Sequence, residues 1–262
     1  MSRFRQTIDI LTPLLIFIAA QVVAGVAVGI LAITGAVTNA FAWSMMVSDL
    51  LVMAAIMLLY RFRLGEILNV KTVNWRKACW GIVGTVACIF SLDVFEEFLD
   101  LPNLLEKEFT SMSHSLLGVL SIAVIGPAME ELVFRQATIG LMLKKGLSPK
   151  MAITLSVMLF GLIHLNPAQV PFAIAIGVIF GLIYYKTGNI VLTTLLHIAN
   201  NSIAVWQMHM IDANHQEVKL TTELGGPVIA DIAAIASLTI GMVCLYHFWK
   251  NYNNTITYET IS

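Results

Sequence analysis

Residues Ile10 to Val37 carry no charge. At about 1.5 Å per residue, a helix of that length exceeds the ~30 Å hydrocarbon core of a bilayer. The run is also far longer than the ~7–15-residue apolar core of a secretory signal peptide, so it is expected as a retained helix. Further apolar stretches follow, giving about eight at 10–34, 43–60, 78–95, 115–134, 151–165, 170–185, 189–208 and 227–249. Hydrophobic residues make up 58% of the chain and charged residues 12%, where a soluble domain carries about a quarter charged. The expected fold class is therefore all-α, a polytopic membrane helix bundle with about eight transmembrane helices.

Lysine and arginine alternate across these stretches. Arg3 and Arg5 precede the first, while Arg61, Arg63, Lys71, Arg76 and Lys77 follow the second. Lys144, Lys145 and Lys150 follow the fourth, Lys186 the sixth and Lys250 the last. The intervening connections are uncharged, as at Thr34 to Ala42, or acidic, as at Asp93 to Glu108. By the positive-inside rule, both termini are expected in the cytoplasm. No polar linker is long enough to bury a core of its own, so residues 1–262 are expected as one integral membrane domain. Short loops and few cysteines point to a bacterial cytoplasmic membrane. Cys79, Cys88 and Cys244 have no metal-ligand spacing and read as small core residues. A net charge of −1 gives no electrostatic case for nucleic acid. The polar stretch from His209 to Pro227 is expected as a solvated outer loop.

Three polar clusters interrupt the apolar stretches: Glu130-Glu131 with Arg135, Phe160 with His164, and His197 with Asn201. Ionisable groups at bilayer depth are costly, which makes a functional site the first hypothesis for them. Counting helical rise back to the nearest lysine puts Glu130, His164 and Asn201 roughly 21–22 Å in and His197 roughly 16 Å in. The clusters are thus expected to converge in one layer. Glu131 and Arg135 are four residues apart, in the order that favours an ion pair, and adjacent Glu130 points about 100° away. Glu131 is assigned to a structural pair and Glu130 to the site. Phe160 reads as wall, Gly126-Pro127 as a kink that opens a polar path to Glu130, and the Asn166-Pro167 turn as lying close to His164. Asp49 is left without a partner.

These residues resemble the CPBP family of intramembrane proteases, which includes the CAAX prenyl endopeptidases and the Abi proteins of bacteriocin-immunity type. The pattern EExxxR, FxxxH and HxxxN stands here as Glu130 to Arg135, Phe160 to His164 and His197 to Asn201. It covers roughly residues 115 to 205, the expected catalytic core. The resemblance implies that Glu130 activates a water with help from His164, and that His197 and Asn201 stabilise the oxyanion. It also implies a peptide or protein substrate at the membrane, lipidated or leadered. Glu130, His164 and His197 could hold a catalytic zinc with water in the fourth position, although a metal-free glutamate and histidine site uses the same atoms. A non-catalytic alternative remains: bacteriocin immunity by binding, or proton-coupled transport, which would use a buried Glu and two His as a relay. No duplicated halves support a transporter.

Overall fold

The computed structural model describes residues 3–63, 65, 69–214 and 219–252, with no β-strand among them. The helices are α1 (Arg3–Ile33), α2 (Ala40–Tyr60), α3 (Trp75–Glu96), α4 (Glu106–Ser113), α5 (Leu116–Lys144), α6 (Pro149–Leu162), α7 (Gln169–Thr187), α8 (Val191–Asn214), α9 (Leu220–Glu223) and α10 (Pro227–Asn251). The stretch expected as a loop from His209 begins as helix, since α8 continues to Asn214; His215 and Glu217 lie outside the described residues.

Among the described residues, α1, α2, α3, α5, α7 and α10 are long and apolar enough to cross a membrane. Eight spans were expected, and the two remaining stretches are α6 and α8. At 14 residues, α6 is only about 21 Å long, short of a ~30 Å core. Helix α8 is long enough but carries Thr193, Thr194, His197, Asn200, Asn201 and Ser202. The helices that depart from the apolar pattern are thus those that bear, or end beside, the expected site histidines.

Local sequence sets the helix ends. The Asn74 and Ser148 side chains accept hydrogen bonds from Lys77 N and Met151 N, capping α3 and α6, and Pro149 opens α6 where its missing N–H is harmless. Gly188, at φ +67°, closes α7 in the left-handed conformation that glycine adopts without strain.

Helix α1 packs on α2, α3 on α10 and α6 on α7, while α5 touches α1, α2, α6 and α8 and forms the centre. Burial follows: Leu132, Val133, Phe134, Ile139 and Leu143 of α5 are enclosed. By contrast α1 leaves Leu15, Val22 and Ile30 exposed, and α10 leaves Ile232 and Ile235 exposed. Apolar side chains facing outward along entire helices suit hydrocarbon, not water.

Contacts between elements gather the basic segments at one end of the bundle. Lys145 pairs with Asp9, Asn189 Nδ2 donates to Asn69 O, and Asn74 N donates to the Tyr252 hydroxyl. Lys186 stacks over Trp249. The opposite end is tied by Asn39 to Ser115, by Asn166 to Asn103, and by Glu97, which accepts from the backbone of Leu220 and Thr221.

Helix α5 winds unevenly. Wide π-turns occupy Ser121–Ile125 and Leu132–Ile139, with the α-helical segment Gly126–Glu131 between them. Helical winding continues through Pro127, where a kink was expected, with a π-turn immediately before it. Pro127 has no N–H to give, and Gly126 N bonds five residues back to Ser121 O, so the wide turn absorbs the irregularity.

Candidate active site

Glu130 and Glu131 leave α5 in different directions, as their roughly 100° separation requires. Glu131 is fully enclosed, whereas Glu130 borders a cavity. Glu131 Oε2 lies 3.3 Å from Arg135 Nε, an ion pair by distance that lacks hydrogen-bond alignment. The Arg135 guanidinium also lies over rings, 4.4 Å from the Phe160 centroid and 5.6 Å from that of Phe180. Among the described residues its two terminal nitrogens make no hydrogen bond.

Glu131 has a second contact that its spacing did not disclose. Its Oε1 lies 3.1 Å from His197 Nδ1, and His197 Nε2 lies 3.5 Å from Glu130 Oε2. One imidazole, 5% exposed, therefore stands between two carboxylates. A carboxylate only accepts, so the Nδ1 hydrogen bond to Glu131 puts a proton on that nitrogen and turns Nε2 toward Glu130. Arg135, Glu131, His197 and Glu130 form one line of alternating charge and ring that links α5 to α8.

His164 lies just past the end of α6, where Phe160 O has no helical N–H to receive. His164 Nδ1 donates to that oxygen at 2.8 Å, leaving Nε2 as the acceptor. Leu165 then takes a left-handed φ of +50°, turning the chain toward Asn166 and α7. The expected turn beside His164 is present. Phe160 makes edge contacts with both rings, at 5.1 Å to His164 and 6.0 Å to His197, and acts as their spacer. On α8, Asn201 Nδ2 donates to Ile122 O within the first π-turn of α5 at 3.0 Å, and Asn201 Oδ1 accepts from Asn200 Nδ2. The Asn201 amide retains one N–H beyond that bond.

Glu130, His164, His197 and Asn201 line a single cavity of about 310 Å³, with Phe160, Gly126 and Pro127 in its wall. Asp93 of α3, which from sequence could either border a polar cavity or snorkel at a helix end, lines it, and so do residues that sequence spacing did not single out: Glu96 of α3, Gln169 of α7, and Asn200 and Gln207 of α8. They come from different elements and only tertiary packing assembles them. Glu130, His164 and His197 were the suggested zinc ligands. Among the described residues, no three His, Cys, Asp or Glu side chains stand together in an ion-holding arrangement, and both His197 nitrogens face carboxylates.

Residues 112–203 match the family described as type II CAAX prenyl endopeptidase Rce1-like. The matched span runs from the end of α4 into α8 and includes every residue of the three motifs. No curated protein and no solved structure matches the chain.

Proposed function

We propose that this chain, whose residues 112–203 match the type II CAAX prenyl endopeptidase Rce1-like family, is an intramembrane protease of the CPBP type that hydrolyses a peptide bond of a membrane-associated substrate with Glu130 as general base. The observation that carries this reading is the His197 ring held between Glu131 and Glu130 at the wall of a cavity shared with His164 and Asn201.

A water between Glu130 and His164 gives its proton to the Glu130 carboxylate, oriented by the open Nε2 of His164. Its oxygen bonds to the carbonyl carbon of the substrate, whose oxygen becomes the oxyanion. The spare Asn201 N–H meets that charge beside the His197 ring, which Glu131 holds in place through Nδ1. Glu130 then passes its proton to the departing nitrogen as the C–N bond breaks, leaving a carboxylic acid on one product and an amine on the other, and the acid's proton passes to the amine or to water. Water exclusion by the surrounding helices strengthens each contact. No step uses a metal.

The test is cleavage of a peptide library by the detergent-purified protein, with Glu130→Gln and a chelator-treated sample beside the wild type. A general base contributes about 10²–10⁴-fold, so Glu130→Gln should lose at least about 100-fold in rate while unfolding at the same temperature. Chelation should leave the rate unchanged; loss on chelation would restore Glu130, His164 and His197 as zinc ligands after rearrangement. Cleavage surviving Glu130→Gln would refute the mechanism. A wild type that cleaves nothing but binds a peptide would favour immunity by binding.

A further inference from the structure

The active-site cavity holds an uneven set of charges. Besides Glu130 and the two histidines, its lining contains Asp93 and Glu96, and among the described residues no lysine or arginine. Asp93 and Glu96 are three residues apart on α3, hence on one face, and that face is turned to the cavity. Neighbouring Glu97 is different, because it accepts two backbone hydrogen bonds at the start of α9. Neither Asp93 nor Glu96 makes a hydrogen bond or ion pair with any described residue. Half-buried carboxylates without partners in a membrane helix are costly unless they serve a water-filled path or a ligand.

A second, independent orphan lies on the other side of the same wall. Asp49 of α2 is 2% exposed and its Oδ2 has no hydrogen-bond partner among the described residues. That oxygen would lie 3.6 Å from a Cβ built on Gly126, a residue of the cavity lining and one helical turn before Glu130. The cavity is therefore bordered by carboxyl groups from α3 and α5, with another from α2 behind the wall. A free C-terminal carboxylate brought here would meet like charge, with no lysine or arginine among the described lining residues to hold it.

Position along the helices shows how a substrate would lie. Glu96 is the last residue of α3, Gln169 the first of α7, and Gln207 lies in the later part of α8, all toward the end opposite the lysines. The cavity runs from the Glu130–His197 layer to that end, and its carboxylates flank the way.

We propose that Asp93 and Glu96 are specificity-determining residues of this protease, selecting peptides with a basic side chain within a few residues of the cleaved bond. The substrate class is a cationic, membrane-associated peptide cut within its chain. This rests on the protease reading above. Desolvated carboxylates attract such a side chain while repelling an acidic one, so discrimination comes from both terms.

The test compares kcat/KM for internally quenched peptides built on a cleaved library sequence, with Lys, Gln or Glu placed in turn at the three positions either side of the cut. Wild type is expected to favour Lys over Gln by about tenfold at one or more positions, the factor given by ~1.4 kcal/mol, and to disfavour Glu. In D93N/E96Q the Lys-to-Gln ratio should fall to near one, and the single variants D93N and E96Q should fall between. Equal rates for Lys, Gln and Glu in the wild type would overturn the proposal yet leave the protease reading intact, and this comparison needs no variant. A Lys preference unchanged in D93N and E96Q would also overturn it, by locating selectivity elsewhere. No cleavage of any peptide by wild type would instead overturn the protease reading itself.

Discussion

Glu131 shows how one side chain can serve stability and chemistry together. It is the charge partner of Arg135 and the group that fixes His197, and it is fully enclosed. Removing one member of a buried pair leaves the other uncompensated, so Glu131→Gln should cost about 3–5 kcal/mol of stability. Denaturant unfolding in detergent measures this. The double variant Glu131→Gln/Arg135→Gln should be more stable than the sum of the two single changes, because no lone charge remains. If Arg135 is held chiefly by Phe160 and Phe180, the losses will simply add. The Glu131–Arg135 pair was legible from its i, i+4 spacing, since both residues sit on one helix. The contact to His197 was not, because it joins residues 66 apart in sequence through packing of α5 on α8. Asp49 was likewise opaque: its neighbour Gly126 has no side chain to mark the contact.

At the scale of elements, the short helix α6 sets the position of His164. A Cβ at Gly161 would land on Ile174 Cγ1 of α7, so the two helices approach this closely only because Gly161 lacks one. Gly161→Ala should push α6 from α7 and carry His164, three residues on, away from Glu130. Overpacking of this kind costs about 1–3 kcal/mol, and misplacement by ~1 Å can cost ~100-fold in rate, so a loss of about tenfold or more in kcat/KM is expected. Gly161→Ala/Ile174→Ala makes room and should recover much of the activity. Failure of that second change to help would show that the contact does not place His164. Apolar runs revealed that these helices exist, because bilayer length and hydrophobicity are readable from sequence. They could not reveal the two π-turns of α5, which depend on where a wide turn can find partners for its backbone. Nor did they show that α6 would fall short of a full span, since the apolar run passes through the helix end and on to Leu165.

The arrangement of the whole molecule turns on which end faces the cytoplasm. Interhelical contacts collect Lys145, Asn69, Asn189, Tyr252 and Lys186 at one end, and Asn39, Asn103, Glu97 and Asn166 at the other. The alternation of basic and acidic connections made this grouping readable, because each crossing reverses the chain. The positive-inside rule predicts the sidedness: the lysine end is expected in the cytoplasm, with the cavity running from the Glu130 layer toward the outer face. Two exposed positions test this, Lys71 near the lysine end and Glu108 near the other. After Cys79, Cys88 and Cys244 are replaced, Lys71→Cys and Glu108→Cys are each probed in intact cells with a membrane-impermeant maleimide. Glu108→Cys should react at once, and Lys71→Cys only after the membrane is opened. The reverse pattern would turn the molecule over, so that a basic peptide would approach Asp93 and Glu96 from the cytoplasm instead of from outside. Labelling thus decides from which compartment the substrate comes, because the carboxylates of α3 stand between the catalytic layer and that end.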